Sequence, residues 1–394
     1  MAHTFNLGNG SWAQKTEKLL AYNAENDNYK PLPFDFDRAS TATVVNKDGL
    51  IETVGVDEPR IDFTDNTKGH LLLEPSRQNK ITHSIPNSNW STENGASITE
   101  NYSVSPDGTQ NASRVQIPSG SLARTHTQFT VDANEDSISF YIKSNTGSNF
   151  NVAFYLRDAG FGTVRYSNTS LEVTNEWQRV KIENQDLSAA SVQVMVLFYN
   201  TSGSGDTWDF SLWGVQAEGG SYATSYIPTS GSAVTRSAET IEQQTFLMEG
   251  LTDMAMFIDY ELPNDKNPSD FRNQIGFRDN SNANFYLIQF SNSEQMEFRY
   301  RGTAGVNVDM TPTISEATYG LRRKILYTKT GTTLKVFCNG VEVSSVTNSN
   351  ATTFSSTTEN LNISNNYPKE LNIRDWRLYN NGLTDQEAIA LTTI

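Results

Sequence analysis

The chain has 394 residues, and its 45 Asp and Glu against 30 Lys and Arg give a formal net charge of −15. Binding to nucleic acid or an anionic membrane needs clustered Lys and Arg; Arg322-Arg323-Lys324 is the nearest approach and reads as a solvated edge, so neither partner is expected. The one cysteine, Cys338, leaves no intrachain disulfide framework or cysteine-based metal site, and no apolar run reaches the ~20 residues that a membrane-crossing helix needs.

The N-terminal MAHTFNLGNGSWAQKTEKLL lacks a basic start followed by an apolar core, so no secretory signal is expected. Trp12 to Tyr22 is written as a short helix, capped by Ser11, with Leu19, Leu20 and Tyr22 clustered late. The acid pairs Asp35/Asp37 and Asp57/Glu58 lie in turn-rich sequence and read as solvated. Runs such as SISFYIKS, NVAFYLRD, QRVKIEN, VQVMVLFYN and WDFSLWGVQAE then alternate apolar with polar residues between Gly, Asn, Asp and Ser turns. The polar stretch SGSAVTRSAETIEQ reads as a boundary. A second set of strand-like runs follows Ser237, from MAMFIDYEL to LNIRDWRLYN. Within it, Asn339-Gly340 predicts a two-residue hairpin, because both central positions of that turn need positive φ. Cys338, just before it, reads as a small buried strand residue. In the tail LTDQEAIALTTI, Thr384 and Glu387 form a capping box ahead of a short helix.

The period-2 pattern predicts an all-β chain rather than alternating βα units. The length exceeds one ordinary sandwich, so two or three domains are expected. The reading is two antiparallel β-sandwich (jelly-roll) domains, at 67–236 and 237–394, preceded by an extended segment at 1–66.

The tract PFDFDRASTATVVNKDGLIETVGVDEPRIDFTDNTKGHLLLEPSRQN carries Phe34, Arg38, Ser40, Thr43, Asn46, Gly49, Pro59, Arg60, Gly69, Glu74, Arg77 and Asn79. A later tract, GVQAEGGSYATSYIPTSG, carries Gln216, Glu218, Ala223, Thr224, Ser225, Tyr226, Ile227, Pro228 and Thr229. Together they resemble bacteriophage virion proteins of the fibre, spike or decoration type. The resemblance implies that 1–66 attaches to other virion proteins and oligomerises. It also implies a protein assembled in the host cytoplasm and located on the virion, as a homo-oligomer with a trimer favoured. Residues Ile373, Arg377, Tyr379, Leu383, Thr384, Asp385 and Glu387 resemble the closing strand and turn of the concanavalin/laminin-G superfamily, which implies core and rim positions for Trp376 and Tyr379. About 70–236 resembles galactose-binding-like jelly rolls of carbohydrate-binding modules, which implies a core position near Trp177.

Such modules stack aromatic faces on sugar C–H surfaces while polar side chains bond the hydroxyls. The aromatic candidates off the core pattern are Trp90, Tyr102, Phe161, Tyr166, Tyr199 and Trp208, with Arg157, Asp158 and Arg165 near them in sequence. Taken singly, an aromatic residue in a sandwich more often fills the core. Glu74 has two readings. With Asp209 or Glu218 it would hold a structural Ca²⁺, a hard cation that takes oxygen ligands; the plainer reading is an ion pair with Arg77 or Arg236 that locks the module's start to its end.

His3, His70, His83 and His126 sit in no nucleophile motif, and neither G-x-S-x-G nor H-E-x-x-H occurs. The E-x-D-x-x-E spacing that sets an acid and a nucleophile about a glycosidic bond is also absent. The expectation is a non-enzymatic virion structural protein, a tail or head fibre or spike, that adheres through its sandwiches to host-surface polysaccharide, strengthened by many copies. One alternative is a capsid-decorating or tail-structural protein whose sandwiches make only protein–protein contacts. Another is an exported polysaccharide-binding adhesin.

Overall fold

The computed structural model describes residues 5–15, 18–23, 28–119, 122–131, 135–187, 193–200, 207–244, 250–261, 274–279, 284–290, 296–312, 314, 320–354, 359–363 and 371–394. Apart from one short helix, the regular elements among them are all strands, and their pairings are antiparallel. Contacts divide the chain into two units: residues 1–47, 54–76 and 237–394 form unit 1, and residues 48–53 and 77–236 form unit 2.

Unit 1 is a sandwich. In one sheet Met254–Glu261 is hydrogen-bonded on one side to Arg322–Thr330 and on the other to Leu371–Tyr379. Thr333–Cys338 and Val341–Thr347 extend it on the first side. On the second, the free edge of Leu371–Tyr379 is taken by Phe5–Gly8 and His70–Leu73. The other layer runs through Val308–Met310, Met296–Arg301, Phe285–Phe290, Gln274–Asp279, Glu359–Ile363, Thr240–Gln244, Asn28–Asp37 and Lys18–Asn23, and is continuous with the first where Tyr22 pairs with Asn6. Alternate residues of the first sheet, among them Met256, Ile258, Tyr260, Ile325, Tyr327, Ile373 and Trp376, meet Phe277, Tyr286, Ile288, Phe298 and Tyr300 of the second in one core.

Residues 1–66 are therefore not an extended segment apart from the sandwiches: strands such as Phe5–Gly8, Asn28–Asp37 and Arg60–Asp62 supply edges and pairings within unit 1, and 48–53 belong to unit 2. The expected helix at 12–22 is also replaced by strand: Ala13–Lys15 pairs with Lys18–Asn23, which pairs in turn with Asn28–Asp37. Ladder bonds from distant strands override a weak local helix preference here.

The local signals at the other end of the unit behave as chemistry dictates. Asn339 (φ 48°) and Gly340 (φ 84°) form the tight turn between Cys338 and Val341, and Cys338 is buried at 6% exposure. The helix Asp385–Thr392 starts at Thr384, whose side chain accepts from Glu387 N while the Glu387 carboxylate accepts from Thr384 N. Ala388 and Leu383 close over Ala255, Phe257, Leu326, Phe337 and Tyr379 on the outer face of the first sheet. Trp376 and Tyr379 are both buried, on opposite faces of their strand.

Unit 2 is a sandwich of two five-stranded sheets. One runs Ser91–Glu93, Arg124–Thr130, Gln193–Tyr199, Phe150–Asp158, Val164–Val173; the other runs Ser97–Ser103, Ala112–Ile117, Trp208–Gly219, Glu135–Ser144, Gln178–Asp186. Phe129, Phe154, Val196 and Phe198 from the first meet Val115, Ile138, Phe140, Phe210 and Leu212 from the second. Trp177 stands outside this core, half-buried, with its Nε1 donating to the Val104 carbonyl at 3.0 Å.

Candidate functional site

Two of the motifs that stand out in the sequence fold into internal locks. In unit 1, Arg38, Arg60, Glu74 and Glu239 have side chains 0–2% exposed. Arg60 donates to both Glu239 oxygens (2.7 and 2.6 Å) and pairs with Glu74 at 2.7 Å, while Arg38 donates to Glu239 at 2.8 Å. Two cations thus face two anions, the arrangement that makes burial of charge tolerable. Asp57 and Glu58 are likewise engaged rather than solvated, accepting from Arg38 N (2.8 Å) and Gly55 N (2.7 Å).

In unit 2, Gln216 Oε1 accepts from Ile227 N (2.7 Å), and Glu218 accepts from Thr224 N and Thr224 Oγ1 (both 2.6 Å). The segment after Trp208–Gly219 is thereby stitched back onto that strand. Asp209 accepts from Arg114, which holds its carboxyl below the usual carboxylate range. Glu74 lies in unit 1 and the other two in unit 2, and Asp209 and Glu218 stand nine residues apart on one strand, roughly 30 Å at ~3.3 Å per residue. The three carboxylates suggested for Ca²⁺ are thus each engaged by a protein donor, and Asp209 and Glu218 cannot share an ion. No group of three or more His, Cys, Asp and Glu that could hold a metal occurs among the described residues.

The aromatic candidates separate by burial. Trp90 (5%) and Trp208 (4%) are core residues whose ring faces are closed to a sugar. Tyr166 packs edge-on to Phe154 at 6.3 Å against the same core. Tyr102 is exposed, but on the other sheet, under the Arg114 guanidinium at 4.8 Å.

Phe161 and Arg157 come together on the sheet that begins with Ser91–Glu93. Strand alternation sends Phe129, Val194, Val196, Phe154 and Leu156 into the core, and Arg124, His126, Leu197, Tyr199, Tyr155 and Arg157 to the opposite face. The turn after Phe150–Asp158 folds over that face. Arg157 Nη2 donates to the carbonyls of Phe161 and Gly162 (both 3.0 Å), and Arg165 makes a two-point bond to Asp158 (2.8 and 2.7 Å) at its base. Phe161, with φ 61°, is set 3.8 Å beneath the Arg124 guanidinium and edge-on to His126 at 5.4 Å. Tyr199 lies 5.6 Å from the same guanidinium and 6.1 Å from Tyr155.

Arg124 is also ion-paired to Glu93. Burial lowers the pKa of His126, so its ring is neutral at pH 7 and offers one donor and one acceptor. Two buried nitrogens, Arg124 Nε and His126 Nδ1, have no hydrogen-bond partner among the described residues. The face combines aromatic rings, a stacked guanidinium paired to Glu93 and an imidazole. Such a set holds a polar ligand with an apolar side. Arg124, His126, Glu93 and Tyr155 were not singled out from sequence; the signal was the alternation in RTHTQF, which puts Arg124, His126 and Gln128 on one face.

Fold and face together define an all-β chain of antiparallel sandwiches with one polar-aromatic sheet face. No protein-family model matches the chain, and no curated protein matches it. It is similar to the CBM40 domain of the Ruminococcus gnavus IT-sialidase bound to α2,3-sialyllactose, with 16% identity and a TM-score of 0.31 over 37% of this chain and 84% of that one. It is also similar to the binding domain of Paraclostridial Mosquitocidal Protein 1 (12% identity, TM-score 0.34, 39% of this chain, 43% of that one). A further similarity is to the botulinum neurotoxin serotype D binding domain (10% identity, TM-score 0.32, 39% of each). The chain spans less than half the length of the two toxin structures.

Proposed function

We propose that this protein is a non-enzymatic glycan-binding protein and that unit 2 takes the sugar on the face formed by Arg124, His126, Tyr155, Arg157, Phe161 and Tyr199. The observation that carries the reading is Phe161 held against Arg124 and His126, with Tyr199 and Tyr155 beside them on the same sheet face. A sugar supplies both a C–H surface for the rings and hydroxyl groups for the polar side chains among them. In the finer reading, which rests on the sequence resemblance, the protein is displayed on a phage particle as a homo-oligomeric fibre or spike. Weak single sites would then be multiplied by copy number.

The test is binding of the labelled full chain to intact bacteria and to their purified surface polysaccharides, with the Phe161→Ala variant in parallel. Saturable binding competed by polysaccharide and weakened in the variant supports the reading. No binding under multivalent presentation would turn it toward a decorating protein that uses its sandwiches for protein contacts.

A further inference from the structure

A second polar concavity lies wholly within unit 1 and is independent of the unit 2 face. Along Met254–Glu261, the residues pointing away from the main core begin with Ala255 and Phe257, which the C-terminal helix covers. The next one, Asp259, opens onto a cleft of about 320 Å³ lined chiefly by Asn9, Lys68, Asp259, Arg322, Arg374 and Asp375. That volume is at the low end of small-molecule sites, which run roughly 300–1,000 Å³, and suits a single sugar ring.

Asp259 and Asp375 face each other across neighbouring strands and are 4% and 6% exposed. Opposed carboxylates repel, and each is held by a guanidinium at two points: Asp259 by Arg322 (2.8 and 2.5 Å), Asp375 by Arg377 (3.1 and 2.5 Å). Three cations, Lys68, Arg322 and Arg374, line the cleft against two carboxylates. Behind it, Arg377 and Glu261 add one charge of each sign, Glu261 pairing with Arg374 at 2.9 Å. A cation excess in a chain of net charge −15 is a local inversion of sign. Arg374 lines the cleft beside Lys68, which reaches Asn9 Oδ1 at 2.8 Å and has two further ammonium hydrogens to offer.

We infer that this cleft binds a monosaccharide unit that carries a carboxylate. The ligand's carboxylate lies between Arg374 and Lys68, where it supplies the missing negative charge. The oxygens of Asp259, Asp375 and Asn9 take the ring hydroxyls, which a simple anion does not possess.

The probes are sodium glucuronate, glucose, acetate and inorganic phosphate, titrated into the full chain by calorimetry and ligand-observed NMR. Two variants test the walls without disturbing the core. Lys68→Ala removes an exposed side chain, and Asn9→Gly suits the φ of 53° at that position. Glucuronate is expected to bind about tenfold or more tightly than glucose, acetate or phosphate, and to weaken by about tenfold in Lys68→Ala, the scale of one lost charge-assisted hydrogen bond. Asn9→Gly weakens it less, and Phe161→Ala leaves it unchanged. Equal binding of acetate or phosphate would reduce the cleft to a simple anion site and overturn the proposal. So would glucuronate binding that survives both wall variants, binding lost in Phe161→Ala, or no glucuronate binding at all.

Discussion

Arg60 and Glu239, 179 residues apart, make a two-point hydrogen bond at 2.7 and 2.6 Å with neither side chain reaching solvent. Burial disfavours the charged guanidinium, but Glu239 and Glu74 more than offset it and hold its pKa above the ordinary value. Removing the shared anion is therefore costly. Glu239→Gln removes the charge that Arg38 and Arg60 share and is expected to destabilise unit 1 by about 3–5 kcal/mol. Chemical denaturation followed by circular dichroism reads the loss, and an unchanged midpoint would refute this account of the network.

Phe161 is only half-buried, in a turn, so Phe161→Ala is expected to cost little stability. It removes the ring under Arg124 and lowers sugar affinity on the unit 2 face by about tenfold, a loss of ~1–2 kcal/mol. Melting temperature and binding isotherm measured on the same preparation separate the two effects.

His126 gives a pH signature. Its pKa in the folded protein lies below the ordinary 6.5 because of burial, with Arg124 assisting and Glu93 opposing. The unfolded chain therefore takes up the proton first as pH falls, and the stability that comes from keeping the ring neutral is present above pH 6.5 and is lost as pH drops toward the folded value. His70 in unit 1 is lowered for the same main reason and acts in the same direction. Denaturation midpoints between pH 7.5 and 5, as a working range, should decline for the wild type. They should decline less for His126→Asn; identical slopes would contradict the assignment.

The C-terminal helix hangs on its cap. Thr384→Ala removes one half of the capping box and is expected to cost about 1 kcal/mol. Hydrogen exchange should rise at Ala388 and along the helix before it rises at Met254–Glu261; uniform protection would show that packing on Phe257 and Tyr379 suffices without the cap.

What could be read from sequence was local. The Asn339-Gly340 turn and the Thr384/Glu387 box are contained within four residues, and their backbone chemistry leaves little choice. The strand Lys18–Asn23 was not legible because its partners, Ala13–Lys15 aside, include Asn28–Asp37 and, at Tyr22, Asn6. The charge lock draws on Arg38, Arg60, Glu74 and Glu239, each in a different segment, so sequence offered Glu74 an ion pair but with Arg77 or Arg236 in place of Arg60. On the unit 2 face, Arg157 and Phe161 could be found because both lie off the core alternation. Arg124 could not, since alternation tells which residues share a face and not what folds over it. The run Arg322-Arg323-Lys324, read as a solvated edge, instead sends Arg322 to Asp259 and leaves Arg323 at 7% exposure.

The pairing of Phe5–Gly8 with Asp375–Leu378 sets an order of events on the ribosome. All ten strands of the two unit 2 sheets have been made once residue 219 has emerged, so that sandwich has its full complement while synthesis continues. In unit 1 the edges of Phe5–Gly8 and His70–Leu73 that bond Leu371–Tyr379 stay open until that strand arrives, a long loop closure and a slow step for any β topology. During that wait the edge-forming strands near the N-terminus are the part of the nascent protein most exposed to pairing with a neighbouring copy.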